Sequence, residues 1–283
     1  MFNLKIINAV GIEYDLTTDP RFSVINIDGL NPPPVSINTS ANAGDGSSFN
    51  SAYVQGRNIV ITVVFNGDIE STRKAFYKIF PMKKPLTFLF TNKNFEVKIT
   101  GYAETINIAL FSQRQQAQVS IVCPTPWLES AEPIDFEPGY EVPTFEPPFS
   151  IELEEPIPFS EVVNHPTSII VNRGDSEVGL TAKITFSGGV TGFKITNETT
   201  GDYFELGYSF RSGDVLTLDT RHGKLSVRNK RSGSTFNLLQ YMTSSSKWIK
   251  LPVGVNRVGI TADTGLPNNL RAELSVSLLY GGV

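Results

Sequence analysis

Asp219, His222 and Ser226 lie close together in the sequence and are the residue types of a Ser-His-Asp hydrolase. Such a site needs its hydroxyl, imidazole and carboxylate to converge in a cleft, where the histidine takes the proton of the serine. The runs VLTL and KLSV flank this stretch, and Gly223 lies between them. This pattern predicts a β-hairpin with a solvent-exposed tip. We therefore assign the three residues to a turn and not to a catalytic triad.

Cys123 is the single cysteine of the 283-residue chain and lies in the stretch SIVCPTPWL. A cysteine nucleophile reacts as the thiolate, which a neighbouring Lys, Arg or His stabilises, and none lies beside Cys123 in the sequence. Ala117, Val119 and Ile121 precede it with the period of one strand face. We interpret Cys123 as a buried apolar residue at the end of a strand that Pro124 terminates.

Carboxylates are concentrated between residues 115 and 172, where ten acidic residues and ten of the 18 prolines occur without any Lys or Arg. Two carboxylates at a fixed separation could hydrolyse a glycosidic bond, and carboxylate oxygens also suit Ca²⁺. However, proline and the mutual repulsion of acidic side chains extend a chain and oppose such a fixed arrangement. The pattern indicates an acidic, proline-rich linker or strap at residues 129–160.

The remaining composition argues against further classes of site. Two histidines and one cysteine are a poor supply of metal ligands, and the glycine-rich residues 44–46 and 187–189 lack the lysine of a phosphate loop. The net charge of −4 gives no general attraction to nucleic acid or to anionic membranes. We predict a protein that is not an enzyme, has no cofactor or metal, does not bind nucleic acid and does not span a membrane.

Strand patterns dominate the rest of the chain. Runs such as IVITVVF, LTFLF and QAQVSIV in the first half, and TAKITF, VLTL and LRAELSVSLLY in the second, alternate or are rich in β-branched residues. The exception is DIESTRKAFYKIF, in which Phe76, Ile79 and Phe80 have helical spacing. Asp68 is a suitable N-cap, and Pro81 ends the helix. The sequence therefore predicts a mainly β protein with one helix.

Residues 31–56 are an irregular segment rich in Ser, Asn and Gly, with Asp45 as the only charge. A structureless loop of this length inside a domain is usually functional or disordered. We therefore expect a long loop with a role of its own in this segment.

A basic group and a tryptophan form a second candidate surface in the C-terminal half. The basic residues are Arg221, Lys224, Arg228, Lys230 and Arg231. Without interleaved aromatic residues they favour an acidic protein surface over nucleic acid, and the acidic strap of a neighbouring subunit is one candidate. Trp248 could stack on a sugar ring or pack at the rim of the core.

Several motifs, taken in this order, resemble the distal tail protein family of siphophages. In the first half they are Asp45-Gly46-Ser47, Arg57-Asn58-Ile59 at the start of a strand, Arg73 and Phe80 on the helix, and the closing Cys123-Pro124-Thr125-Pro126-Trp127. In the second half they are NETTG before a strand, Gly213-Asp214 at a hairpin, and Trp248 followed by LPVGVN. Their order and spacing extend the resemblance over nearly the whole chain.

The resemblance implies a fold and an assembly. It implies an N-terminal β-sandwich or barrel-like ring domain with one helix at residues 1–128, a linker at 129–160, and a galectin-like C-terminal β-sandwich at 161–283. Six copies would form a ring at the virion tail tip after assembly in the host cytoplasm. The ring would join the tail tube protein to the tail-associated protein and present receptor-binding or baseplate proteins.

This interpretation also assigns candidate contact residues. Residues 38–56 become an assembly loop that orders only in the ring, with Asn38, Asp45, Gly46, Ser47, Tyr53 and Arg57 as its candidate contacts. The candidate partner or sugar surface consists of Arg221, Arg228, Lys230, Arg231 and Trp248. The alternative function is a carbohydrate-binding adhesion module that recognises cell-surface sugars through Trp248 or Tyr241.

Overall fold

The computed structural model of the chain describes residues 2–112, 114–137, 140–143, 160–163, 167–265 and 269–283. These residues form two compact units. The first unit combines Met1–Glu132 with Leu279–Val283, and the second unit is Pro133–Leu278. Residues 138–139 and 144–159 of the predicted acidic linker lie outside the described residues. The expectation of a mainly β protein is confirmed.

The elements follow one another in the order β1 (Asn3–Asn8), β2 (Glu13–Asp15), β3 (Phe22–Asp28), β4 (Val35–Ala41), β5 (Ser47–Val54), β6 (Arg57–Phe65), α1 (Ile69–Ile79), β7 (Pro85–Thr91), β8 (Glu96–Ile108), β9 (Gln116–Cys123), β10 (Leu128–Ser130), β11 (Ile134–Phe136), β12 (Tyr140–Pro143), β13 (Ser160–Val163), β14 (Thr167–Asn172), β15 (Val178–Gly179), β16 (Thr181–Phe186), β17 (Phe193–Asn197), β18 (Asp202–Leu206), β19 (Val215–Asp219), β20 (Ser226–Arg231), β21 (Ser234–Asn237), a 3₁₀ turn (Leu239–Tyr241), β22 (Lys250–Leu251), β23 (Gly254–Thr261), β24 (Leu270–Val276) and β25 (Leu279–Tyr280).

The first unit is built on one antiparallel sheet with the strand order β2-β1-β7-β8-β9-β6-β3, to which β10 and β25 add. Alternate side chains of the central strands form its core, because successive residues of a strand point to opposite faces. Ile59, Ile61 and Val63 of β6 and Val119 and Ile121 of β9 are fully buried. The predicted alternation of the QAQVSIV run is confirmed, and it determines which face of the sheet is covered.

The helix α1 packs against this core as its sequence predicts. The Asp68 side chain accepts a hydrogen bond from the Glu70 N–H at 3.3 Å and caps the first turn. At the other end, the Phe80 N–H donates to the Phe76 carbonyl. Phe76 and Ile79 are buried, and the Phe76 ring lies 5.3 Å from that of Phe65 on β6. The helix therefore covers the apolar face at one part of the sheet.

The second unit contains two larger antiparallel sheets that pack on each other. One has the order β11-β24-β16-β19-β20-β21 and the other β14-β23-β17-β18. The Phe186 ring of the six-stranded sheet lies 6.0 Å from the Phe193 ring of the four-stranded sheet, and Phe210 stacks on Phe186 at 4.1 Å. Contacts of this kind between two sheet faces make this unit a β-sandwich.

Several segments differ from the sequence prediction. The start of the predicted linker contains β10, which pairs with β8 and β25, and β11, which pairs with β24. Residues 31–56 are not a structureless loop, because β4 and β5 pair over their full length within a single chain. The final run LRAELSVSLLY is not one strand either. β24 lies in the second unit, whereas β25 pairs with β10 in the first unit.

Candidate assembly site

The β4–β5 hairpin is a separate two-stranded sheet, and among the described residues no strand of the larger sheet pairs with it. Its register runs from Val35 opposite Val54 to Ala41 opposite Ser47, with a bulge between Asn38 and Thr39. At the tip, the Asn42 N–H donates to the Gly46 carbonyl at 3.3 Å. Gly46 has φ +90°, which favours glycine at this position of the turn.

The hairpin has one apolar face and one polar face, since the side chains of paired strands alternate. The apolar face carries Val35, Ile37, Phe49, Ala52 and Val54. Ile37 is 61% exposed and Phe49 is 67% exposed. These apolar side chains therefore lie in solvent in the single chain.

The polar face is stabilised by its own side chains. It carries Ser36, Asn38, Ser51 and Tyr53. The Asn38 amide donates to the Ser51 hydroxyl at 3.0 Å across the two strands. Such cross-strand hydrogen bonds give the hairpin a defined shape without a core. The hairpin thus presents its apolar face as an uncovered surface in the single chain.

Arg57 anchors the base of the hairpin. It is the first residue of β6, and only 2% of its surface is exposed. Its guanidinium donates to the carbonyl oxygens of Gly29 at 2.7 Å, Asn31 at 3.0 Å, Pro126 at 2.9 Å and Gly281 at 2.5 Å. A planar group with five N–H donors suits this task. Burial lowers the pKa of Arg57 from its ordinary value.

Cys123 lies opposite Arg57 in the β6–β9 pair and is fully buried. Burial raises the pKa of its thiol to about 12, although the charge of Arg57 acts in the opposite direction. The thiol is therefore protonated at neutral pH, and a protonated thiol is a poor nucleophile. The interpretation of Cys123 as a buried apolar residue is confirmed.

The structure brings the first set of predicted site residues together. Asn38, Ser47 and Tyr53 lie on the two strands of the hairpin, and Asp45 and Gly46 lie at its tip. Their role in assembly stays a prediction. The apolar face was not predicted, although Val35, Ile37, Ala52 and Val54 already alternate in the sequence.

Three of the second set of predicted residues already contact other side chains of the same chain. The Arg221 guanidinium binds the Asp219 carboxylate at 2.9 and 2.6 Å, and Arg231 binds Asp214 at 2.7 and 2.5 Å. Trp248 packs against the ring of Phe204 at 5.3 Å and is half-buried. The role of these residues in binding a partner or a sugar stays a prediction.

Arg228 and Lys230 complete this set. They lie exposed on the outer face of β20. Within the part of the chain that the structure describes, neither side chain forms an ion pair. Of the five predicted residues, these two are the cations that could meet an anionic surface without first breaking an existing pair.

The predicted turn around His222 is confirmed, because β19 and β20 pair on either side of it. Burial acts to raise the pKa of Asp219, but the hydrogen bonds from Arg221 outweigh it and the net pKa is lowered. The Asp219 carboxylate is thus ion-paired with Arg221.

We expect Asp214→Asn to destabilise the protein by about 2 kcal/mol at neutral pH, because it leaves Arg231 without its charged partner. Hydrogen bonds from Arg231 hold the pKa of the Asp214 carboxyl below its ordinary value. The pair therefore stabilises the fold above the unfolded pKa near 4, and this contribution is lost as the pH falls below that value. Urea unfolding from pH 7 to pH 3 measures both effects. Equal acid sensitivity of the variant and the wild type would contradict this assignment.

Within the described residues, no group of three His, Cys, Asp or Glu side chains is placed to hold a metal ion. Nor does any described helix have the length and apolar character that a membrane span needs.

Comparisons with known proteins show similarity to siphophage tail components, as the sequence motifs do. Residues 173–268 match the family model described as "Siphovirus-type tail component, C-terminal domain". The Dit protein of phage SPP1 superposes with a TM-score of 0.68 at 13% identity over 98% of each chain, and its structure is described as a paradigm of the hub adsorption apparatus in phages that infect Gram-positive bacteria. A chain of the phage P2 baseplate, in its activated conformation with Ca, superposes with a TM-score of 0.59 at 10% identity, again over 98% of each chain. No curated protein sequence matches the chain.

The resemblance to distal tail proteins is thereby confirmed, by sequence over residues 173–268 and by fold over 98% of the chain. The residues that match the tail component model lie within the second unit.

Proposed function

We propose that this chain is a structural subunit of a siphophage tail tip, and that copies of it form a hexameric ring through the β4–β5 hairpin. The ring joins the tail tube protein to the tail-associated protein and presents receptor-binding or baseplate proteins outward. It is assembled in the host cytoplasm, acts in the virion tail and is not an enzyme. The Dit-type fold and the tail component domain support this role.

The uncovered apolar face of the hairpin carries the proposal. An isolated two-stranded hairpin is marginally stable in water, and exposed strand edges invite pairing with another chain. A neighbouring copy that covers Ile37 and Phe49 would stabilise the hairpin by burying its apolar face. Contacts between two different surfaces close into a ring when the rotation between subunits divides a circle.

Light scattering and negative-stain imaging of the purified protein over a range of concentrations test the proposal. We expect particles of six subunits with a central opening, populated more fully at higher concentration by mass action. A monomer at every concentration, also after co-expression with the tail tube protein of the same phage, would contradict the proposal.

A further inference from the structure

Two turns of the first unit hold large apolar side chains in solvent. The turn between β1 and β2 carries Val10, which is 74% exposed, and Ile12, which is 51% exposed. The turn between α1 and β7 carries Met82, which is 74% exposed. Exposed apolar residues that lie close together mark interaction sites more often than scattered ones do.

The two turns lie side by side. Asn8, the last residue of β1, is paired with Leu86 near the start of β7. The residues after Asn8 and those before Leu86 therefore leave the same end of the sheet. Lys83 and Lys84 follow Met82 in the second of these turns. We call Val10, Ile12, Met82, Lys83 and Lys84 the turn cluster.

Hydrogen bonds within the first turn hold its backbone, and the second turn contains a residue in the left-handed conformation. The Asn8 side-chain oxygen accepts from the Val10 N–H at 3.1 Å and from the Ile12 N–H at 2.9 Å. Lys83 has φ +61°, a left-handed conformation that costs free energy for any residue but glycine. Strain of this kind persists where the surrounding structure imposes it, and it is concentrated at functional sites.

The charges of the turn cluster complement those of the hairpin tip. Lys83 and Lys84 are exposed, and neither has an ion-pair partner among the described residues. Asp45 at the hairpin tip is exposed as well and is unpaired within the same described part of the chain. It is also the only charged residue between positions 31 and 56. The turn cluster, which is cationic and apolar, is thus complementary to the hairpin tip, which is anionic and apolar.

We propose that the turn cluster of one copy receives the tip half of the hairpin of the next copy. Phe49 packs on Val10, Ile12 and Met82, and Asp45 lies opposite Lys83 and Lys84. The inference rests on the proposed ring, since head-to-tail closure requires two different surfaces on every copy. The hairpin is one of these surfaces, and the turn cluster matches it in both apolar character and charge.

A mixing experiment tests the contact. The hairpin variant is Phe49→Ser, and the turn variant is Val10→Ser with Ile12→Ser and Met82→Ser. We expect each variant alone to be a folded monomer by light scattering. An equal mixture should give a particle of twice the monomer mass and nothing larger, because only one kind of contact between the two variants is intact. Rings from the turn variant alone, or a mixture that stays monomeric, would overturn the inference.

Charge reversal gives an independent readout. Asp45→Lys, or Lys83→Glu together with Lys84→Glu, should weaken ring formation by about tenfold or more. Combining all three changes in one chain should restore assembly, because the opposite charges then face each other again. No restoration would count against the proposed pairing.

Leu110→Ser with Phe111→Ser is the matched control, since these exposed residues lie on a different turn, between β8 and β9. We expect this control variant to form rings. If it alone fails to form rings, the receiving surface is the β8–β9 turn and not the turn cluster, and the inference is overturned. A wild-type chain that never forms rings would overturn both the proposed function and this inference. Wild-type rings together with rings from the turn variant would overturn this inference only.

Discussion

Replacing Ile37 and Phe49 with serine should convert the assembled protein into folded monomers. Both side chains lie on the apolar face of the β4–β5 hairpin and are more than half exposed in the single chain. Burial of such a side chain contributes about 1.5–3 kcal/mol. Losing two of them costs about 3–6 kcal/mol for each contact, which weakens the contact by about 10²–10⁴-fold.

The polar face of the same hairpin supplies the matched control. Ser36→Thr with Ser51→Thr changes the same two strands but keeps both hydroxyl groups and leaves the apolar face intact. We expect this variant to form rings. Light scattering and negative-stain imaging measure assembly, and thermal unfolding verifies that both variants are folded. Rings from the Ile37→Ser/Phe49→Ser variant would show that the hairpin face is not the contact surface.

Arg57→Ala should destabilise the first unit by about 3–5 kcal/mol, because it leaves the buried carbonyls without their donor. The Arg57 guanidinium joins the chain before the hairpin, the segment after β9 and the C-terminus through four hydrogen bonds. Urea unfolding measures the loss. Arg257→Ala is a suitable control, since its ion pair with Glu198 is exposed and such pairs contribute at most about 1 kcal/mol.

Deletion of residues 279–283 measures how much the C-terminal segment contributes to the stability of the first unit. It removes β25 from its pairing with β10 and takes away the Gly281 carbonyl that Arg57 binds. We expect a loss of several kcal/mol that is not additive with Arg57→Ala, because both changes remove the same hydrogen bond. Additive losses, or a deletion that leaves stability within about 1 kcal/mol of the wild type, would contradict the anchoring role.

Elements with a local, periodic signal could be predicted from the amino-acid pattern. The alternation that ends at Cys123 predicted a strand with a buried cysteine, and burial against the sheet core is the reason for that alternation. The helix from Ile69 to Ile79 followed from its apolar spacing and from the Asp68 cap. Each of these signals lies within a few residues of chain, where side-chain period and backbone geometry are directly linked.

Other features depend on how distant segments of the chain pack, and the local sequence does not reveal them. The hairpin at residues 35–54 escaped prediction because neither of its faces is buried in the single chain, so that Ser and Asn are as suitable there as apolar residues. Its bulge after Asn38 also breaks the alternation. Since the hairpin has no buried face, its function has to be inferred from the side chains that it exposes.

The anchor at Arg57 is the strongest example of a feature without a sequence signal. Its four acceptors lie 26 to 224 residues away along the chain, and all of them are backbone carbonyls, which any residue type supplies. The same reason applies to β25, which continues the alternation of β24 but pairs in the other unit. Contacts between distant segments depend on the path of the chain, and only the folded structure specifies that path.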